Sequence, residues 1–366
     1  MSLLKIGLLG KFIKREWDYR RRKLVGCSLE PTYRCNLRCK MCGVHTLVHP
    51  GDKARELTRR DMLDIVEGLA QMGADWLQLI GGEPLLRPDD MLAVVARANE
   101  VGVQPSIVTN GALIDEELGR EIVRVGTQRL IFSVDGVGEA HDRVRGVPGG
   151  FERTRNAMNL IVQERRRQGL KHPIIEIQST LSRLNYDQVD PLMKFKEEVQ
   201  ADGIVFLYVS EISAQRLDAT RLEGEKPLCT ARWAPGDGSC LFTPRELAVF
   251  REALQRLPAN KNVQVFKALS DAAYVQCVFP TRRCYFMRNV MIINPFGDAY
   301  PCPHIDGYIT GNVRESGVQG VWQNERQRKV VDGLRKGMYP VCSACCVFGL
   351  NLTPMQAVRL ALGKSL

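Results

Sequence analysis

The sequence predicts an α/β fold built on a parallel sheet, extended at its C-terminal end by a small cysteine-rich domain. Three observations carry this. Between residues 26 and 209, short apolar runs alternate six times with segments of helical periodicity, the pattern of strands joined by helical crossovers. The rhythm lapses after Glu211, where Pro227, Pro235, Gly236, Gly238 and Pro244 interrupt the chain. Cysteines then become dense from Cys277 onward.

The chain opens with a basic amphipathic segment. Residues 1–25 carry Lys5, Lys11, Lys14, Arg15, Arg20, Arg21, Arg22 and Lys23 against Glu16 and Asp18, a net +6 out of +10 for the whole chain. Ile6, Leu9, Ile13 and Trp17 recur at helical spacing, with Leu8 and Phe12 beside them. Such a helix closes one end of a barrel with its basic face in water, lies on an anionic membrane or receives an acidic peptide. The first is the simpler expectation. The alternating run from Gly26 to Thr32 reads as the first strand, with Cys27 a structural thiol inside it.

That strand delivers Cys35-Asn36-Leu37-Arg38-Cys39-Lys40-Met41-Cys42 at its C-terminal end, a C-x3-C-x2-C spacing. Thiolates suit iron–sulfur clusters, and three of them leave one iron of a 4Fe–4S cluster open. Zinc prefers four ligands from paired knuckles. The stretch resembles the radical S-adenosylmethionine (SAM) family. The resemblance implies that Cys35, Cys39 and Cys42 hold a 4Fe–4S cluster whose open iron chelates the amino and carboxylate groups of SAM. It further implies that an electron from the cluster splits SAM into methionine and a 5′-deoxyadenosyl radical, and that Met41 contacts the adenine.

Thr58 to Met72 has helical periodicity with Thr58 as N-cap. Trp76 to Ile80 is the second strand, ending in Gly81-Gly82-Glu83-Pro84, where two glycines let the backbone approach a ligand closely. The motif resembles the family's GGEP turn, which binds the amino group of SAM; that assigns Gly81, Gly82 and Glu83 to the cofactor. A helix from Asp89 to Val101, a strand from Gln104 to Thr109 and a helix from Asp115 to Val125 follow. The strand from Arg129 to Asp135 ends in Ser133-Val134-Asp135-Gly136, and His141-Asp142-Arg143-Val144-Arg145 lies in the next loop. A hydroxyl and a guanidinium at strand ends suit a ribose and a carboxylate. In the resembling members with a C-terminal cluster domain, residues matching Ser133 and Arg145 contact SAM; the alternative is that Asp135 and His141 merely order the loop. A long helix from Phe151 to Gln168, strands at Ile174–Leu181 and Gly203–Val209, and a helix from Val189 to Val199 complete six repeats. Gln178 points to the same strand end. Eight repeats would close a barrel; six match the partial (β/α)6 TIM-like barrel that the resemblance implies.

The C-terminal set comprises Cys284, Cys302, Cys342 and Cys345, with Gly297 five residues before Cys302 and a C-x2-C at its end. It resembles the SPASM family of auxiliary-cluster domains in a shortened, twitch-type form, because only Cys346 follows Cys345. The resemblance implies one auxiliary 4Fe–4S cluster on these four thiolates; zinc is the alternative for a four-cysteine set. Cys277 and Cys346 are spare, and Cys229 and Cys240 lie at no ligand spacing in the bridging segment. Thr353-Pro354 starts a last helix with Val358, Leu360 and Leu362 on one side. The expected organisation is a helix over 1–23, a core over 24–210, a bridge over 211–261, a cluster domain over 262–350 and a helix over 351–366.

The composition, 45% hydrophobic and 25% charged over 366 residues, is that of a soluble globular chain. No run of eighteen apolar residues occurs, and no secretory signal is expected. Twelve cysteines without an export signal argue for metal ligation in a reducing, low-oxygen cytoplasm. The excess charge is confined to one segment without a reading motif, which excludes a specific nucleic-acid binder. The resemblance implies an enzyme with two 4Fe–4S clusters and SAM, fed by a flavodoxin- or ferredoxin-type reductant. Its substrate is expected to be a peptide or protein, with sugars, aminocyclitols and lipids as competitors, and a peripheral membrane contact through residues 1–23 goes with the lipid option. An iron–sulfur electron carrier without SAM chemistry is the alternative. No single catalytic side chain is legible.

Overall fold

A computed structural model describes residues 13–227, 238–257, 262–265, 269–345, 347–353 and 355–356. Cys229, Cys346 and most of the terminal apolar segments lie outside them. Among the described residues, ten strands form one sheet: β1 Gly26–Leu29, β2 Trp76–Leu79, β3 Gln104–Thr109, β4 Arg129–Ser133, β5 Ile174–Leu181, β6 Gly203–Tyr208, β7 Val263–Gln264, β8 Val290–Ile293, β9 Asp298–Tyr300 and β10 Gly311–Asn312. Their spatial order is β10-β9-β8-β1-β2-β3-β4-β5-β6-β7.

Strands β1 to β6 pair in sequence order, all parallel. Each pair is joined by a helix packed on the outside, as right-handed crossovers require. Leu77, Leu79, Ile107, Leu130, Phe132, Ile175, Ile177, Ile204 and Phe206 form the row beneath the helices and are fully buried. The intervening Gln78, Ser106, Ser133, Gln178 and Thr180 are half-buried and line the open inner face of the partial barrel. The first crossover helix, Arg59–Gln71, is started by a capping box in which Thr58 and Asp61 satisfy each other's backbone N–H groups.

The sheet does not stop where the β–α rhythm lapses. β7 adds to β6, and β8 pairs parallel with β1 at the other edge, so the C-terminal region continues the same sheet. Helix Val313–Gln323 then packs on Arg59–Gln71, so closely that a Cβ on Gly68 would meet Val318 at 2.9 Å. The antiparallel hairpin β8–β9 carries Gly297 in its turn at φ +87°.

Residues 13–21 are helical. The polar side of this helix does the packing. Arg283 pairs with Glu16 at 2.6 Å, Asn289 Nδ2 donates to the Asp18 carbonyl at 2.9 Å, and Tyr19 stacks on Tyr285. Ile13 and Trp17 remain 62% and 55% exposed. Ile13 and Trp17, two of the apolar residues in the amphipathic pattern, take no part in this packing. At the other end, Thr353 and Gln356 bond each other's backbone N–H reciprocally, as a helix start requires.

Candidate active site

The cysteine loop leaves β1 and is held by the turn after β2. Gly82 N donates to Thr32 O and Glu83 N to Arg34 O, both at 2.9 Å. A Cβ on Gly82 would lie 2.1 Å from Arg34 O, and Gly81 adopts φ +118° with Thr32 O 2.8 Å from its would-be Cβ. The two glycines therefore admit the backbone of the cysteine loop itself. Close approach is what they provide, and the cysteine-loop backbone takes part in it.

Glu83 is fully buried. Its carboxylate accepts from Leu85 N at 3.1 Å, Thr109 Oγ1 at 2.8 Å and Asn110 N at 2.9 Å, tying the end of β2 to the end of β3. Burial pushes its pKa up against those three bonds. A carboxylate has about four acceptor sites, and these bonds take three of them. Asn110 also donates from Nδ2 to Asn36 Oδ1 at 2.8 Å, inside the cysteine loop. Thr109 and Asn110 carry no spacing signal in the sequence that marks them for this site.

The stretch expected to be a loop at His141 is a short helix, Glu139–Arg145. Asp142 makes the difference, because its carboxylate ties the helix to the next one through Gly149 N and Phe151 N. The C-terminal end of this helix docks on the cysteine loop. Lys40 N donates to Val144 O at 2.9 Å, and a Cβ on Gly146 would lie 2.4 Å from Arg38 O. Arg145 reaches between the two, with Nη2 2.7 Å from Asp135 Oδ2 and Nη1 3.7 Å from Cys39 Sγ. Burial opposes its charge, but Asp135 and Cys39 outweigh that and push its pKa up. Asp135 is fully buried and also accepts from Thr180 N at 2.7 Å. His141 accepts from Asp135 N at 3.4 Å, and burial drops its pKa to about 3. Ser133 and Gln178 are paired in register on β4 and β5, both half-buried on the inner face.

Cys39 and Met41 are buried in one apolar group with Leu37, Val144, Val209 and Cys240, against which Cys35 and Cys42 are partly buried. The structure thus brings Cys35, Cys39, Cys42, Met41, Glu83 and Arg145 to one end of the parallel strands. Cys240, which had no assigned place, packs on the same group. Burial, with Glu83, Cys39 and Cys42 nearby, lifts the Cys35 thiol to about 11.

The second cysteine set encloses a small cavity lined by Cys284, Cys302, Cys342 and Cys345, with His304, Met287, Val341 and Asn351. Burial raises the Cys284 thiol well above its usual value, Cys342 to about 12 and Cys345 to about 11. Met287 N bonds Cys284 Sγ at 3.2 Å and Asn351 Nδ2 bonds Cys345 Sγ at 3.3 Å. Among the described residues, no three His, Cys, Asp or Glu side chains converge closely enough for one metal ion. Four sulfurs on a single zinc, at about 2.3 Å each, would lie within about 4 Å of one another. Thiols that line the wall of a cavity fit the larger cube of a 4Fe–4S cluster. Three thiols beside a buried cation fit a cluster with one open iron.

Comparison with known proteins decides the family. Residues 29–175 match the model of the radical SAM superfamily, and residues 284–346 match that of an iron–sulfur cluster-binding domain, SPASM. Pre-heme d1 synthase of Dinoroseobacter shibae is 30% identical over 352 residues, 90% of this chain and 81% of its own. The chain belongs to the radical SAM superfamily. AdoMet-dependent heme synthase of Methanosarcina barkeri is 27% identical over 86% of both chains, and mycofactocin maturase MftC of Mycolicibacterium smegmatis 28% identical over 81% of this chain and 69% of its own. In fold, the chain is similar to Streptococcus suis SuiB bound to S-adenosylmethionine, with TM-score 0.62 and 16% identity over 95% of this chain and 80% of that one. As a radical SAM enzyme with a SPASM domain, the protein uses 4Fe–4S clusters and SAM. Among the described residues, no helix is long and apolar enough to cross a membrane.

Proposed function

We propose that this chain cleaves SAM reductively at Cys35, Cys39 and Cys42 and directs the product toward removal of a substrate hydrogen, with an auxiliary cluster on Cys284, Cys302, Cys342 and Cys345 taking or passing an electron. When bound, SAM and the clusters supply the radical and the electrons. The observation that carries the reading is the placement of Arg145 between Cys39 and Asp135 at the strand end that Glu83 closes. Arg145 offers a cation to the carboxylate of an amino acid, and Glu83 keeps one acceptor site for its ammonium. Ser133 offers a hydroxyl to a ribose, Met41 an apolar side to a base, and Gly81, Gly82 and Gln178 complete that end. An electron carrier would need none of these groups. The core over 24–210, the bridge over 211–261 and the cluster domain over 262–350 are the corresponding division of labour. Half-exposed Cys35 and Cys42 give a flavodoxin- or ferredoxin-type reductant its approach.

For the substrate, we favour a peptide. One relative is named a mycofactocin maturase, and SuiB has been crystallised bound to its precursor peptide SuiA. A tetrapyrrole is the second reading, favoured by the relatives named heme synthase and pre-heme d1 synthase. Sugar, aminocyclitol and lipid substrates have no such support. Oxidation, epimerisation and carbon–carbon bond formation all fit the same site. Anaerobically loaded protein given dithionite and SAM should form 5′-deoxyadenosine, and its absence would remove the reading. Deuterium carried into 5′-deoxyadenosine from a labelled peptide, or from a labelled porphyrin, separates the two substrates.

The reading places the enzyme in a reducing cytoplasm. Ile13 and Trp17, exposed beside Lys14, Arg20 and Arg21, support a peripheral contact with anionic lipid. Each basic residue near such a surface adds about 1 kcal/mol, weakened by salt. Flotation with phosphatidylserine vesicles at low salt, lost at high salt and in Trp17→Glu, is the expected result. Absence of flotation at low salt would leave the helix as a cap alone.

A further inference from the structure

The two cysteine systems meet at the end of β6. Val209 packs in the apolar group that contains Cys39 and Met41. Its neighbour Ser210 is buried and turns the other way. Ser210 Oγ donates to Ala344 O, between Cys342 and Cys345, and lies 3.1 Å from His304 Nε2. His304 is buried and lines the four-cysteine cavity. The His304 ring also hydrogen-bonds the Ala344 backbone, so Ser210 and His304 are held together on one carbonyl.

Further bonds staple the same place. Glu211 N donates to Cys277 Sγ at 3.2 Å, and Phe279 N donates to Ser343 O at 2.7 Å. Cys277 itself is held at φ +52°, a conformation that a side chain rarely adopts, so the surroundings impose it. The peptide Val209–Ser210 is thus a covalent link between the SAM-binding end of the barrel and the wall of the auxiliary cavity.

We propose that His304, positioned by Ser210, sets the reduction potential of the auxiliary cluster and couples that cluster to the end of β6. Groups that surround a cluster's sulfurs tune its potential through hydrogen bonding, polarity and solvent exclusion. His304 is the imidazole in this cavity wall, and Ser210 with the Ala344 backbone holds the ring in place there. His304 is a positioning and tuning residue, since the four cysteines already supply the ligands. The inference rests on the auxiliary-cluster reading above, and the two fail differently: wild-type protein with only about four irons would sink that reading before any variant is made.

The test is a redox titration of reconstituted holoprotein followed by electron paramagnetic resonance. His304→Leu and Ser210→Ala should keep wild-type iron content. Each should shift the auxiliary cluster's reduction equilibrium in the same direction, about tenfold for His304→Leu, or about 59 mV for one electron, and less for Ser210→Ala. Ser210→Thr, which restores the hydroxyl, should return to the wild-type value. The SAM-binding cluster should keep its potential in all three. Unmoved auxiliary potentials in both His304→Leu and Ser210→Ala would overturn the proposal. So would loss of about half the iron in both His304→Leu and His304→Gln, because His304 would then be holding the cluster rather than tuning it.

Discussion

The loop at Cys35–Cys42 and the cavity at Cys284–Cys345 use the same side chain for opposite ends. In the loop, three thiols sit at the mouth of a parallel barrel, two of them half-exposed, beside a buried cation at Arg145. In the cavity, four thiols line an enclosed wall, and backbone or amide N–H groups bond two of their sulfurs. On the reading proposed above, a missing fourth thiolate would leave a coordination position for chemistry, and a full set would close the cluster and leave it only an electron to exchange. The loop is built by close backbone approach, through Gly81, Gly82 and Gly146. The cavity is built by side-chain and strand packing around β8 and β9.

The largest expected effect breaks this comparison directly. Replacing Cys35, Cys39 and Cys42 by Ala should abolish 5′-deoxyadenosine formation and remove about half the iron. Replacing Cys284 and Cys302 by Ala should also remove about half the iron but leave 5′-deoxyadenosine formation measurable, because the open cluster survives. Equal loss of SAM cleavage in both variants would mean that the division of roles is wrong.

A smaller effect sharpens the loop side. Arg145→Ala leaves Asp135 buried without its ion-pair partner, a change that costs about 3–5 kcal/mol in comparable buried pairs. Denaturant unfolding under nitrogen should show that loss, and Asp135→Asn combined with Arg145→Ala should recover part of it. A stability change below 1 kcal/mol would show that the pair is not buried as described.

The smallest effect is a pH dependence. The folded-state pKa of His141 is depressed to about 3, below the unfolded value of 6.5. Its contribution is therefore fully present above pH 6.5 and is lost as pH falls toward the folded pKa. By pH 4.5 the loss should reach roughly 2.5 kcal/mol. His141→Gln lacks that component, so the wild-type and variant unfolding curves should converge as the pH drops. Parallel curves would place His141 in solvent.

The sequence made the core legible because its signals are local. Thr58 and Asp61 announce a helix start, strand and helix periodicities alternate, and C-x3-C-x2-C, Gly-Gly-Glu and the C-x2-C at Cys342–Cys345 stand within a few residues. What stayed hidden is nonlocal. Nothing near Val290 says that its strand pairs with Gly26, 264 positions earlier. The polar side of residues 13–21 packs because Arg283 and Asn289 wait for it, while the apolar pattern pointed to Ile13 and Trp17. Thr109, Asn110, Ser210 and His304 sit at strand ends or beside a cysteine without any spacing signal, and only the folded chain brings them to Glu83 and to the auxiliary cavity.

The most direct test of one open and one closed cluster is the response of the loaded protein to SAM. Wild-type protein should carry about eight irons per chain. After reduction, adding SAM should change the electron paramagnetic resonance spectrum of one cluster, the one lost in the Cys35/Cys39/Cys42 variant, and leave the other unchanged. A spectrum in which both clusters respond, or neither does, or an iron content near twelve, would contradict the account.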